Sequence, residues 1–138
     1  MIDVYIKRLH SQARLPMKSQ GDVDCCDLWA YTVDNDSSGW VVHTGISIAL
    51  PQGYNMLIHP WPELSFKCGL TLLNTSAIVS STHRSEILLR FNRGYAHMQD
   101  NIVNVLLTHG PVAQALILKV PEVNFIEAHT LPDIPHSV

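Results

Sequence analysis

The chain has 138 residues, of which 46 % are hydrophobic and 15 % charged, so we expect one folded domain spanning residues 1–138. A net charge of −3 gives no basic surface for nucleic acid, and no apolar run approaches the roughly 20 residues of a membrane span. Neither nucleic acid nor a membrane is therefore expected as a partner. The three cysteines lack metal-ligand spacing and favour a reducing cytoplasm over a disulfide framework.

Alternation of apolar and polar residues dominates the chain and predicts strands. It begins at Val4 and Ile6, continues at Ile46, Ile48 and Leu50, and returns in a late strand over 112–120. Turn-forming sequences punctuate the strands at regular intervals, at residues 34–39, 50–54, 91–95 and 109–111. Many short strands joined by turns predict an all-β sandwich or barrel.

Four segments keep an order and spacing that resemble the trimeric dUTPases: CCDL, PELSFKCGL, NTSAIVSSTHRSEI and VAQALIL, at residues 25–28, 62–70, 74–87 and 112–118. The resemblance extends from about Lys7 to Asp133. It implies a distorted jelly-roll or β-barrel that assembles as a homotrimer, with each site built from several subunits. It also implies magnesium-dependent hydrolysis of dUTP to dUMP and diphosphate.

One segment is ambiguous between helix and strand. Residues 97–109 have a helical pattern, yet their valines and isoleucine also allow a strand. The matching region of dUTPases is a loop followed by a strand, so the resemblance favours that interpretation over a short helix.

The first dUTPase motif falls at residues 24–28, where Asp27 matches the carboxylate that helps to hold hydrated magnesium in the family. Cys25 replaces the motif glycine. The alternative for Asp27 is a turn residue that accepts backbone N–H bonds.

The second motif keeps its LSFK end but loses its phosphate contacts. Trp61 and Pro62 stand where the family has an arginine and a serine, and neither residue offers a cationic donor. Glu63 adds a negative charge where a triphosphate is expected. These three residues form a candidate protein contact; the alternative is that Trp61 fills an unused pocket.

The third motif is the hairpin that receives the nucleoside in dUTPases. Asn74 is retained, whereas Ser80 stands at the position of the aspartate that activates water and His83 at that of the tyrosine under the sugar. A serine hydroxyl is not a general base near neutral pH, while histidine can titrate there. Arg84 and Glu86 are retained and are expected to be structural.

In the fourth motif Gln114 is retained, but the Asp–Arg pair before it is not. The glycine-rich fifth motif, which caps the nucleotide in the family, is not found in the sequence. Asn74, Ser80, His83 and Gln114 are thus expected to form a vestigial nucleotide site with weak or no affinity for dUTP.

Three functions follow from these changes. The first is a dUTPase-like pseudoenzyme that has lost hydrolysis and acts through an unknown protein partner. The alternatives are a nucleotide hydrolase with a remodelled site, or a deoxyuridine-nucleotide sensor without turnover. No cofactor is expected, except Mg²⁺ if activity is retained. The expected location is the cytoplasm, or the host cytoplasm or nucleus if the gene is viral; a virus or phage origin is an analogy.

Overall fold

The computed structural model of the chain describes residues 1–19, 25–73 and 77–135. Within these ranges, the strands are β1 (Tyr5–Arg8), β2 (Met17–Lys18), β3 (Cys26–Leu28), β4 (Thr32–Asp36), β5 (Gly39–His43), β6 (Ile46–Ala49), β7 (Tyr54–Pro60), β8 (Ala77–Val79), β9 (Leu88–Phe91) and β10 (Ala113–Lys119). The helices are α1 (Pro62–Cys68), α2 (Ile102–Thr108) and a 3₁₀ turn at Ala96–Met98. None of these described helices has the length and apolar character needed to cross a bilayer.

The strands form three antiparallel sheets. The largest has the order β2-β3-β10-β7-β8, a second has the order β4-β5-β9, and β1 pairs with β6 alone. The longest ladder joins β7 to β10, from Ala113 opposite Pro60 to Lys119 opposite Tyr54. Because β3 and β7 both pair with β10, the ends of strands that are far apart in sequence lie together at one end of the large sheet.

A continuous apolar core lies between the sheets and the helices. Its most enclosed side chains have a solvent exposure of 0 %: Val42, Ile58, Leu70, Leu89, Phe91, Ile102, Leu106, Val112 and Ala113. The all-β expectation is confirmed. The alternation in β6 also matches its environment, since Ile46 and Ile48 are buried while Ser47 and Ala49 are half-buried.

The expectation for residues 97–109 is wrong, because most of this segment is helical. Residues 96–98 form the 3₁₀ turn and 102–108 form α2, and no strand lies between β9 and β10. Ile102 and Leu106, four residues apart, lie on one face of the helix and are both fully buried. Burial of this face in the core outweighs the strand preference of the β-branched residues.

Glu86 has the structural role that the sequence predicts. One carboxylate oxygen accepts a hydrogen bond from the backbone N–H of Gly45 at 2.8 Å, and the other lies 3.1 Å from His43 Nδ1. On the other side of the ring, His43 Nε2 lies 2.9 Å from Asp34 Oδ2. Arg84 donates to the carbonyls of Ser81 and His83 and so closes the loop before β9.

This arrangement predicts a pH-dependent stability. The hydrogen bond to Glu86 and the charges of Glu86 and Asp34 raise the pKa of His43. Protonated His43 thus stabilises the fold fully below the unfolded pKa of about 6.5, and this contribution is lost as pH rises through the folded pKa. We expect His43→Gln to cost about 1 kcal/mol at pH 6 and clearly less at pH 9, as for a partly exposed pair.

Chemical denaturation at both pH values measures this difference. His129→Gln, a change at an exposed position, is the control. A loss of stability in His43→Gln that is equal at pH 6 and pH 9 would contradict the assignment.

Candidate functional site

A cleft of about 770 Å³ opens at the edge of the large sheet. It is bounded by the segment leading into β2, by β3, by the start of α1 and by the turn before β10. Its lining residues are Arg14, Met17, Lys18, Ser19, Asp27, Trp29, Trp61, Pro62, Glu63, Gly110, Pro111 and Gln114. The cleft therefore brings together the described parts of the first, second and fourth motifs.

Three adjacent strands position Asp27 and Gln114 side by side. Met17 of β2 lies opposite Asp27 of β3, which in turn lies opposite Gln114 of β10. Asp27 is only 7 % exposed, and its Oδ1 has no hydrogen-bond partner among the described residues. The turn-residue alternative for Asp27 is wrong, because the residue lies within a strand and leaves a buried carboxylate oxygen unpaired at the cleft.

The unpaired oxygen of Asp27 fits a hydrated magnesium ion. Mg²⁺ usually keeps several waters and is bound by one or two carboxylates together with substrate phosphates. Across the described residues, no group of three or more His, Cys, Asp or Glu is arranged to hold a metal by itself. A nucleotide would therefore have to supply the remaining ligands. When bound, the ion would neutralise charge on the phosphates.

The start of α1 determines how the second motif contributes to the cleft. Trp61 occupies the N-cap position and Pro62 the first helical turn, where its missing N–H is not needed. The backbone N–H of Trp61 donates to Val112 O at 2.9 Å and ties the helix start to β10. The indole is half-buried, packs against the core and lines the cleft.

Glu63 does not present an uncompensated charge to the cleft. Its Oε2 lies 3.1 Å from His109 Nε2 and 3.5 Å from Lys67 Nζ, one turn later on α1. The hydrogen bond from His109 and the charge of Lys67 lower the pKa of Glu63. Lys67 and His109 thus partly neutralise the negative charge of Glu63, which weakens its repulsion of a phosphate.

Three further residues of the cleft escape sequence analysis. The Arg14 guanidinium lies over the Trp29 ring, with its Cζ 3.9 Å from the ring centroid, and Lys18 ends β2 at the same cleft. The contact between Arg14 and Trp29 depends on the three-dimensional fold and has no counterpart in the sequence pattern. A weak signal exists in the sequence, because the cations flank the Leu15–Pro16 pair that precedes the first motif.

The hairpin residues form a second group, away from the cleft. Ser80 Oγ lies 3.0 Å from Thr82 Oγ1, and the N–H of His83 donates to Ser80 O at 3.1 Å. His83 Nε2 is enclosed and has no partner among the described residues. Neither Ser80 nor His83 is among the residues that line the cleft. Asn74 lies outside the described residues.

Comparison with known proteins agrees with the motif pattern. No family model matches the chain. A curated deoxyuridine 5'-triphosphate nucleotidohydrolase of Gloeobacter violaceus is 36 % identical over 92 residues, which cover 65 % of the chain and 58 % of that protein. The proteins of this name from Leifsonia xyli and Alkaliphilus metalliredigens are 32 % and 30 % identical, with 87 % and 96 % of the chain and 78 % and 90 % of the relatives covered.

For some relatives the match is shorter, so that the chain spans little more than half of the Gloeobacter and Bifidobacterium proteins. Solved structures share the fold. The dUTPase of Staphylococcus bacteriophage 80alpha with dUpNHpp superposes with a TM-score of 0.74 at 14 % identity, covering 98 % of this chain and 93 % of the other. A mutant dUTPase from phage phi11 of S. aureus, described as coordinating a structural Mg(II) ion, has a TM-score of 0.70 at 12 % identity and covers 96 % of this chain and all of the other. The jelly-roll expectation is thereby confirmed, and the chain belongs to the dUTPase family.

Proposed function

We propose that this chain is a nucleotide hydrolase of the dUTPase type with a remodelled site, which converts dUTP to dUMP and diphosphate slowly and with Mg²⁺. The buried, unpaired carboxylate oxygen of Asp27 in a cleft of nucleotide size carries this proposal. A buried oxygen without a hydrogen-bond partner destabilises the folded state, unless a ligand binds to it. The sequence relationship to curated hydrolases supports the same conclusion.

The residues of the chain would act mainly by positioning. Asp27 would hold the metal-bound phosphates, and the amide of Gln114, its cross-strand neighbour, can donate a hydrogen bond to a phosphate oxygen. The hydroxyl of Ser80 can orient a water molecule but cannot remove its proton. His83, three residues after Ser80, is the candidate for a general base. The missing carboxylate is why the expected rate is low.

The separation of the two residue groups supports a homotrimer. Ser80 and His83 do not line the cleft of their own chain, so a second copy would have to bring its hairpin to the cleft. Exposed apolar side chains beside that hairpin are suited to an interface, since Ile78 is 65 % and Leu73 48 % exposed. We expect light scattering to report three chain masses; a monomer would contradict this arrangement.

The second candidate is a pseudoenzyme that acts through a protein partner, with Trp61, Pro62 and Glu63 at the contact. The observation that favours it is the absence of a carboxylate at Ser80, together with the loss of a cation at Trp61. One structural neighbour, the phage 80alpha dUTPase, is described as controlling the transfer of virulence genes.

Turnover of dUTP by purified protein at high concentration distinguishes the two candidates. Chromatography measures the product, and we expect slow formation of dUMP that requires Mg²⁺, with no comparable turnover of the other deoxynucleoside triphosphates. Glu122→Gln, at an exposed position, serves as a matched control with unchanged rate. No product above a protein-free blank would reject the hydrolase and leave the pseudoenzyme.

A further inference from the structure

The cleft contains two cations that the family motifs do not account for. We propose that Arg14 and Lys18 bind the phosphate chain of the nucleotide and replace the cation lost at Trp61. This inference rests on the proposed function, because it names the phosphate-binding residues of the same cleft. Both side chains line the cleft, and both come from the segment before the first motif.

Arg14 is positioned to bind an anion. Its guanidinium, a planar group, has its Cζ 3.9 Å from the centroid of the Trp29 ring, and this cation–π contact restrains the side chain at the cleft. The N–H donors lie at the edge of that plane, where they match phosphate oxygens. Among the described residues Arg14 has neither a hydrogen bond nor an ion pair to another side chain. By contrast, Arg84, Arg90 and Arg93 all donate within the chain.

Lys18 adds a second positive charge to the cleft that contains Asp27. In the ladder between β2 and β3, Lys18 lies opposite Cys26, the residue immediately before Asp27. Lys18 also lines the cleft, so its ammonium group can contact phosphates that Asp27 would hold through a metal ion.

Among the described residues, neither acidic side chain of the cleft forms an ion pair with Arg14 or Lys18. Glu63 is paired with His109 and Lys67 instead. Asp27 is buried without a partner among the described residues. Arg14 and Lys18 thus remain as donors for an anionic ligand, and a charge-assisted contact of this kind is among the stronger hydrogen bonds.

The test compares nucleotide affinity among the wild type and four variants, by calorimetric titration with dUpNHpp and Mg²⁺. We expect Arg14→Gln and Lys18→Gln each to weaken binding about 10-fold, in line with a charged hydrogen bond. Arg14→Lys, which keeps the charge but loses the planar donors, should give an intermediate loss. Lys7→Gln, a change on exposed β1, is the control and should bind like the wild type.

A second titration uses inorganic triphosphate with Mg²⁺ as the probe, because it carries no base or sugar. The same order of affinities among the variants would support phosphate binding by these two residues. Affinity for dUpNHpp that stays at the wild-type level in Arg14→Gln and Lys18→Gln would overturn this inference alone. If the wild type binds neither probe, the proposed function fails together with it.

Discussion

Replacing Ser80 with aspartate is expected to raise the rate of dUTP hydrolysis by about 100-fold, the lower range for adding a general base. Ser80 directly follows β8 and is exposed, so a carboxylate at this position is compatible with the fold. An aspartate there can accept a proton from the attacking water, which the serine hydroxyl cannot do at neutral pH. The gain should appear in kcat rather than in KM, because the carboxylate acts on water and not on nucleotide affinity.

Ser81→Asp is the matched control, since it adds the same charge one residue further along the loop. We expect this variant to keep the wild-type rate. An equal increase in both variants would mean that charge alone changes the rate. If Ser80→Asp is no faster than the wild type, position 80 does not face the water that attacks the nucleotide.

Asp27→Asn is expected to raise the stability of the ligand-free protein and to lower its dUTP turnover. Removing the charge from a buried carboxylate with an unpaired oxygen should stabilise the ligand-free protein by about 1 kcal/mol, the lower range for such groups. The same change should abolish the effect of Mg²⁺ on nucleotide binding and reduce dUTP turnover about 100-fold, as for the loss of one group that stabilises the transition state. A residue kept for the fold would show the opposite sign in stability.

Thermal unfolding with and without dUpNHpp and Mg²⁺ measures both effects. In the wild type the ligands should raise the melting temperature, because they bind only the folded state. Asp27→Asn should start from a higher temperature and gain little. Asp100→Asn, at an exposed position, is the control. A lower melting temperature for ligand-free Asp27→Asn would contradict the assignment of Asp27 as a ligand-binding group.

Of the site residues that the motif pattern predicts, Asp27 and Gln114 line the cleft, whereas Ser80 and His83 do not. Asp27 and Gln114 meet because β3 and β10 pair in register, and Trp61 reaches them through its backbone bond to Val112. Strand pairing of this kind follows from the family fold. The order of motifs does not by itself indicate which side chains share the cleft, because Ser80 and His83 of the third motif lie apart from it, next to β8 at the far edge of the sheet.

Local structure is harder to predict from the same residues. The helix α1 has its own signals, with Pro62 at the first turn and Gly69 in a left-handed conformation at the end, but the motif resemblance draws attention to the chemistry instead. The contact between Arg14 and Trp29 depends on how the N-terminal segment folds over β3. No periodicity encodes such a contact, because the two residues are joined by neither a helix nor a strand pair.

Turnover of dUTP by the wild type, Ser80→Asp and Asp27→Asn, compared side by side with Mg²⁺ present, decides whether this cleft is catalytic. The proposed hydrolase predicts dUMP and diphosphate in equal amounts, with Ser80→Asp fastest, the wild type slow and Asp27→Asn slowest. Wild-type product at the level of the protein-free blank, with no increase in Ser80→Asp, would contradict a catalytic role for this cleft.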